Sequence, residues 1–292
     1  DYYSDKRREF SKEVIDLVPK NLDLIYWDYY SSDYDKYDAT IKTHKSFNND
    51  IVFAGGAWCW SGITPHNKYS IVNNEAALKA CADNGIADVI ITEWKDDGSE
   101  SSLFSVLPAL MFAAENYRGN FDGKDIKAKF EKLFGIDCDG FMSLDMPDLL
   151  DGEYTNSNPT KYMLFSDSFL GWLDGTVDES KVGMFEKAKA EIDKYIKDEN
   201  FGYIFETSSA LCDVMSIKYM IGVKTRRAYK SGNKSELASL IKDYDELIKR
   251  VQNLYDKFKA QWYMECKFNG FEHHDARYGE LLMRIKRCRE IL

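Results

Sequence analysis

No stretch of this 292-residue chain approaches the roughly 18 consecutive apolar residues that a membrane span requires, and the opening Asp1-Tyr-Tyr-Ser-Asp-Lys-Arg-Arg is too polar for a secretory signal. Paired cysteines are missing too. Cys59, Cys81, Cys138, Cys212, Cys266 and Cys288 are scattered singly, with no C-x-x-C, in a chain too large to depend on disulfide staples. They read as reduced thiols, which points to a cytoplasmic protein, with any signal upstream of Asp1 not observable. Positive charge is in deficit: 39 Lys and Arg face 49 Asp and Glu, for a formal charge of −10. That balance opposes a phosphate backbone or an anionic leaflet, so neither nucleic acid nor a membrane surface is expected as a partner.

Several chemical signatures are absent as well. There is no G-x-S-x-G, no G-x-x-x-x-G-K-[ST] and no G-x-G-x-x-G. The four histidines lack ligand spacing, and the adjacent His273 and His274 diverge on a helix or a strand alike. Asp137-Cys-Asp139-Gly140 lacks the third ligand position and the correctly placed glycine of a calcium loop. Neither a metal nor a cofactor is expected.

What the chain does contain is an alternation of strand and helix patterns in its first third. Leu22–Trp27, Ile51–Ala54 and Ala87–Thr92 read as strands, with a helix over 34–45 between the first two. Asn74 reads as the N-cap of a second helix that carries Ala77, Leu78 and Ala80, and Gly85 as its terminating glycine. This βαβαβ order predicts a parallel sheet covered by helices, with ligands beyond the carboxyl ends of the strands. From Ser105 onward apolar residues recur at helical spacing. The longest such stripe runs from Leu237 through Leu240, Tyr244, Leu247, Val251, Leu254 and Phe258 to Trp262, and its expected partners are helices over 207–227 and 181–197. The expected organisation is an α/β domain over 1–119 and an all-helical domain over 120–292. Three strands cannot close a (β/α)8 barrel, which takes about 250 residues, so the first domain reads as a partial TIM barrel. The rest of it either lies upstream on a longer parent or is replaced by another copy packed on the open edge; the family resemblance described below makes these the last three strands.

The strand ends hold the residues of interest. Tyr26 and Asp28 share a face by the period of two, with Trp27 on the other. A phenol beside a carboxylate suits a polyhydroxylated ligand; the alternative is a core tyrosine and a capping aspartate. Gly55-Gly56-Ala57-Trp58-Cys59-Trp60-Ser61-Gly62 follows the second strand. Its glycines would let the backbone approach a ligand, and Trp58 and Trp60 would stack on a pyranose or else pack in the core. The third strand ends in Glu93-Trp94-Lys95-Asp96-Asp97-Gly98-Ser99-Glu100, where Trp94 and Asp96 share a face. Each strand thus delivers an aromatic residue, and two add a carboxylate. Together they describe a carbohydrate pocket.

These motifs resemble glycoside hydrolase family 20, the β-N-acetylhexosaminidases. Tyr26-Trp27-Asp28 is similar to that family's Tyr-x-Asp, and Trp94-Lys95-Asp96 to its Trp-Gly-Glu or Trp-Gly-Asp. The stretch Glu265-Cys-Lys-Phe-Asn-Gly270-Phe-Glu-His-His-Asp275-Ala-Arg-Tyr-Gly-Glu-Leu-Leu is similar to the C-terminal helical segment of one bacterial branch. The resemblance implies exo-hydrolysis of terminal β-linked GlcNAc or GalNAc by a substrate-assisted mechanism. It gives Tyr26 the acetamido oxygen, Asp28 sugar hydroxyls, Trp94 the wall of the −1 subsite, Asp96 the O4/O6 side, and Trp58 or Trp60 the leaving-group side. The Asp-Glu pair that orients the acetamide and donates the proton belongs to the family's fourth strand, ahead of this stretch, and the family's sugar-gripping arginine also lies upstream. Asp178-Glu179, Asp198-Glu199 and Asp245-Glu246 fall in charged helical contexts and cannot replace the pair. Lys95 stands where the family has glycine, which puts a long cation beside the pocket. The chain alone is therefore expected to be inactive, the alternative being a non-catalytic carbohydrate-binding protein or an inactive fragment. Its exposed sheet edge would favour association with another copy.

Overall fold

The three apolar runs form strands β1 (Leu24–Trp27), β2 (Ile51–Gly56) and β3 (Asp88–Thr92), which pair in parallel in the order β1-β2-β3. The computed structural model describes residues 9–96, 98–152 and 154–292. In these the chain is mostly helical and divides into two units. The first comprises the chain up to Trp58, His66–Trp94 and Val106–Phe141; the second comprises Cys59–Pro65, Lys95–Ser105 and Met142–Leu292.

In the first unit, α1 (Lys12–Leu17) precedes β1, α2 (Tyr34–Lys45) joins β1 to β2, and α3 (Asn67–Asp83) joins β2 to β3. Asp33 caps α2 by accepting the Asp35 N–H at 2.9 Å. Register sets Tyr26 beside Phe53 and Val89 on one face of the sheet, and Trp27 beside Ala54 and Ile90 on the other. The Tyr26 row is buried under Tyr37 and Ile41 of α2 and Ala77, Leu78 and Cys81 of α3. The opposite row is open: Ile25 is 51%, Trp27 39% and Ile90 48% exposed. Helices α4 (Leu107–Tyr117) and α5 (Gly123–Phe134) follow, and α5 stops at Gly135 in the left-handed region.

One sequence expectation is corrected here. Asn74 lies inside α3, which begins at Asn67 with His66 before it, and its buried amide donates to the Gly56 carbonyl at 3.0 Å. The Asn-rich first half of α3 is a poor helix former on propensity; contacts such as this one, and that from the Asn73 amide to the Tyr29 carbonyl at 2.9 Å, hold it helical. Gly85, with φ of +70°, ends the helix as expected.

Helices dominate the second unit: α7 (Pro159–Phe165), α8 (Met184–Ile192), α9 (Gly202–Lys230), α10 (Lys234–Glu265) and α11 (Glu272–Ile291), with the short α6 (Cys138–Met142) ahead of them in the chain. Gly232, at φ +67°, turns α9 into α10, and the Asn233 side chain caps α10 on the Glu236 N–H. Along α10 the buried positions are Leu240, Tyr244, Leu247, Val251, Leu254 and Phe258, spaced by four and three residues. Each such aliphatic side chain, fully buried, contributes about 1.5–3 kcal/mol. No helix among the described residues is long and apolar enough to cross a membrane.

Candidate functional site at the carboxyl edge of the sheet

Tyr26 and Asp28 do share a face, and it is the face covered by helices. The Tyr26 hydroxyl donates to Asp28 Oδ2 at 3.0 Å. Its ring is 3% exposed, stacked on His44 at 5.2 Å and edge-on to Phe53 at 5.6 Å. Burial raises the phenol pKa far above its ordinary value, with the Asp28 charge adding to the effect. Asp28 is equally buried. It accepts the Tyr30 N–H at 3.0 Å and lies 3.6 Å from the Lys36 ammonium, so it fixes the chain as it leaves β1. The phenol is thus committed to the carboxylate and packed in the layer between sheet and α2.

The open face carries the more accessible aromatic pair. Trp27 stacks on Trp94 with ring centroids 5.3 Å apart and planes at 18°. The period of two puts Trp27 on the opposite side from Tyr26, but nothing local marks that side as the uncovered one. Flat indole faces at a carboxyl edge are suited to the CH face of a sugar.

Trp58 is 4% exposed, met edge-on by Tyr29, Tyr30 and Tyr69 at 5.4–5.5 Å, and its indole N–H donates to the Tyr29 carbonyl at 3.1 Å. Trp60 is 7% exposed. Both are core aromatics in the described chain. The glycines beside them serve packing as well. A side chain on Gly55 would start 2.6 Å from Asn74 Oδ1, and one on Gly62 would start 2.9 Å from Asp148 Oδ2. Their bareness lets α3 and Asp148 approach, where the sequence suggests room for a ligand.

Asp96 is exposed, and its carbonyl accepts the Ser99 N–H at 3.2 Å. Lys95 does not extend a free cation: its ammonium donates to the Ser101 carbonyl at 2.7 Å and closes the loop on itself. Among the described residues no three His, Cys, Asp or Glu side chains come together to hold a metal ion.

Two buried carboxylates that sequence reading did not single out organise the second unit. Asp148 accepts from Thr64 Oγ1 at 3.2 Å and from the Thr160 N–H at 3.0 Å, and burial pushes its carboxyl up to about 6. It holds the loop that bears Trp60. Glu100 stands between Lys161 at 2.7 Å and Arg277 at 2.6 Å, while Gln261 donates to its carbonyl at 3.3 Å. Ser102 donates to Glu265 at 2.5 Å in the same region. No local signal marks such partners, which lie between 61 and 177 positions away from Glu100.

The family described as Glycoside Hydrolase 20C C-terminal domain matches residues 139–292, more than half of the chain. This chain belongs to that family. Helices α7 to α11 are therefore the hydrolase C-terminal domain, and Lys161, Gln261, Glu265 and Arg277, which hold residues 100–102, are part of it. The Glu265–Leu282 stretch that suggests the family from sequence lies inside the match. Among solved structures, the chain is similar to a GH138 enzyme targeting pectin rhamnogalacturonan II, with a TM-score of 0.44 and 13% identity over 93% of this chain and 53% of that one. It thus spans about half the length of that enzyme. No curated protein matches the chain.

Proposed function

We propose that this chain is the carboxyl-terminal part of an exo-acting β-N-acetylhexosaminidase, in which β1 to β3 are the last strands of a (β/α)8 barrel. The observation that carries the reading is the family match over residues 139–292. The parallel sheet with one face covered by helices and the other bare supports it, because barrel strands need such an outer helix layer and an inner face filled by other strands. In this reading the sugar lies against Trp94 and Trp27, and Asp96 takes the O4/O6 hydroxyls. The leaving-group side is given to Trp58 or Trp60, although their burial favours a supporting role.

The family role for Tyr26, hydrogen bonding to the acetamido oxygen, requires the phenol to leave Asp28. We assign the Tyr26–Asp28 pair instead to holding the end of β1, with Trp27 beside the sugar. Substrate-assisted hydrolysis further needs an Asp-Glu pair at another strand end, and the carboxylate pairs of this chain are engaged otherwise. Asp178 caps a turn on Ser180, Asp198 caps Asn200 and Phe201, and Asp245 pairs with Arg289.

The test is an aryl N-acetylglucosaminide assay on this chain and on a longer protein that adds an upstream strand ending in Asp-Glu. Turnover is expected only from the longer protein. General acid catalysis contributes about 10² to 10⁴-fold, so turnover by the short chain overturns the division of labour, and a longer protein inert to hexosaminides overturns the activity. In the longer protein, Tyr26→Phe should leave kcat unchanged and lower the melting temperature. A fall of about 10 to 10³-fold in kcat, as expected on losing a positioned donor, would return the acetamido contact to Tyr26.

A further inference from the structure

Two adjoining cavities open in the helical unit, remote in sequence from the strand ends, and share Tyr162 and Leu173 as a common wall. The first has a volume of about 400 Å³ and the second about 320 Å³. These are within or close to the range of small-ligand sites, roughly 300–1,000 Å³. The first is bordered by Trp172, which is 84% exposed, and by Tyr162, Phe165 and Leu170. Tyr162 and Leu170 beside it are 63% and 58% exposed, so the cavity rim is a patch of bare apolar side chains, the kind of surface that marks an interaction site.

The loop presenting Trp172 is pinned on both sides. Arg226 of α9 donates to the Ser168 carbonyl before it and to both Asp174 oxygens after it, with Nε at 2.6 Å from Oδ2. Gly171, at φ +71°, packs so closely that a side chain there would start 2.7 Å from Arg226 Nε. The indole is therefore held out on a braced loop, the arrangement of a preorganised stacking platform.

Charge differs between the two ends. The first cavity is lined by three cations, Lys161, Arg277 and Arg284, and one carboxylate, Asp167, in a chain of net charge −10. Arg284 keeps a buried Nε without a hydrogen-bond acceptor among the described residues, the Glu280 carboxylate lying 3.6 Å away. The second cavity is lined by two carboxylates, Asp151 and Asp178, and one cation, Lys181, together with Ser157 and Asn158, groups able to hydrogen-bond hydroxyls.

We propose that these cavities form a carbohydrate-binding site of the helical domain for an oligosaccharide bearing a carboxylate. Trp172 stacks on a sugar ring, the cationic first cavity takes the acidic residue, and the second takes the hydroxyls of its neighbour. The proposal does not rest on the hexosaminidase reading, since none of these residues belongs to the sheet.

The experiment titrates this chain with a hyaluronan tetrasaccharide, which alternates glucuronate and N-acetylglucosamine, and with neutral chitotetraose, followed by calorimetry. Hyaluronan should bind at least about tenfold more tightly at low salt, and the gap should close as salt rises. Trp172→Ala should weaken hyaluronan binding by about tenfold or more, and its exposed position keeps the fold intact. Arg284→Gln should bring the two sugars to similar affinity. Equal binding of both sugars by the unaltered chain, full affinity in Trp172→Ala, or no heat from either sugar at millimolar concentration each overturns the proposal.

Discussion

The seam of α10 and the bare face of the sheet are both apolar rows, yet one is sealed and the other is not. Leu247, Val251 and Leu254 of α10 are fully buried within the unit they belong to. Ile25, Trp27 and Ile90 alternate as regularly and remain about half exposed. A helix can seal its stripe against the helix that follows or precedes it in the chain, as α9 and α10 do across a short turn. A sheet has two faces, and the crossover helices of βαβ units cover only one of them. What fills the second is set by chain elements far away in sequence.

The sharpest test of the sealed region is Glu100→Gln. It removes the buried carboxylate between Lys161 and Arg277 and leaves the Lys161 ammonium, 4% exposed, without its closest counterion. Breaking a buried pair this way costs about 3–5 kcal/mol. Chemical denaturation followed by helix content should show that loss, and a variant within about 1 kcal/mol of the parent would mean that the cluster does not tie residues 95–105 to the helices.

Next in size is Leu254→Ala in the α10 stripe, expected to cost about 2–5 kcal/mol through lost burial and a residual cavity. The same truncation at an exposed apolar position of that helix would not.

These sites also show what the sequence made legible. The helical stripe could be read because its period names the buried residues directly, and all six of the buried apolar positions of α10 lie on it. Alternation likewise paired Tyr26 with Asp28 and opposed Trp27. It could not say which face the helices cover, so the tyrosine with the most suggestive chemistry proved to be in the core while Trp27 took the open side. Gly55 and Gly62 misled for a related reason. A glycine reports that something approaches closely, and the identity of what approaches, Asn74 and Asp148 here, is a tertiary fact. Asp148 and Glu100 had no local signature at all.

Buried groups of opposite titration sign lie in the two units. His66, in the first unit, is held neutral by burial, its pKa lowered to about 4, and neither ring nitrogen has a hydrogen-bond partner among the described residues. Its contribution is complete above the unfolded value near 6.5 and is lost as pH falls toward 4. Asp148, in the second unit, has the opposite sign: with its carboxyl raised to about 6, its contribution is complete below the unfolded value of 3.8 and is lost as pH rises through about 6. His274 in the second unit shifts in the same direction as His66, so substitutions are needed to separate them. Relative to the parent, His66→Gln should lose its acid sensitivity between about pH 6.5 and 4, and Asp148→Asn should gain on the parent as pH rises from about 4 to 7. Each effect is bounded at roughly 3 kcal/mol by shifts of about two to two and a half pH units. Melting curves across that range check both, and parallel pH profiles for Asp148→Asn and the parent would show that this carboxyl titrates normally.

The smallest expected effect bears most directly on the sheet. Ile25→Ala and Ile90→Ala truncate side chains that are about half exposed on the bare face, so in this chain each should shift stability by about 0.5 kcal/mol, in the range of surface substitutions. If the strands are the last of a barrel, the same two positions lie in its packed interior once the other strands are present, and each truncation should then cost about 2–5 kcal/mol. The comparison is made by measuring both variants twice, in this chain and in the longer protein carrying the upstream strands. A penalty that grows several-fold in the longer protein shows that those strands cover this face. Equal and small penalties in both would mean that the face stays open, and the sheet would then be an open α/β layer rather than part of a closed barrel. Because neither isoleucine bears a polar group, this outcome is independent of where a sugar binds and of whether Tyr26 ever meets it.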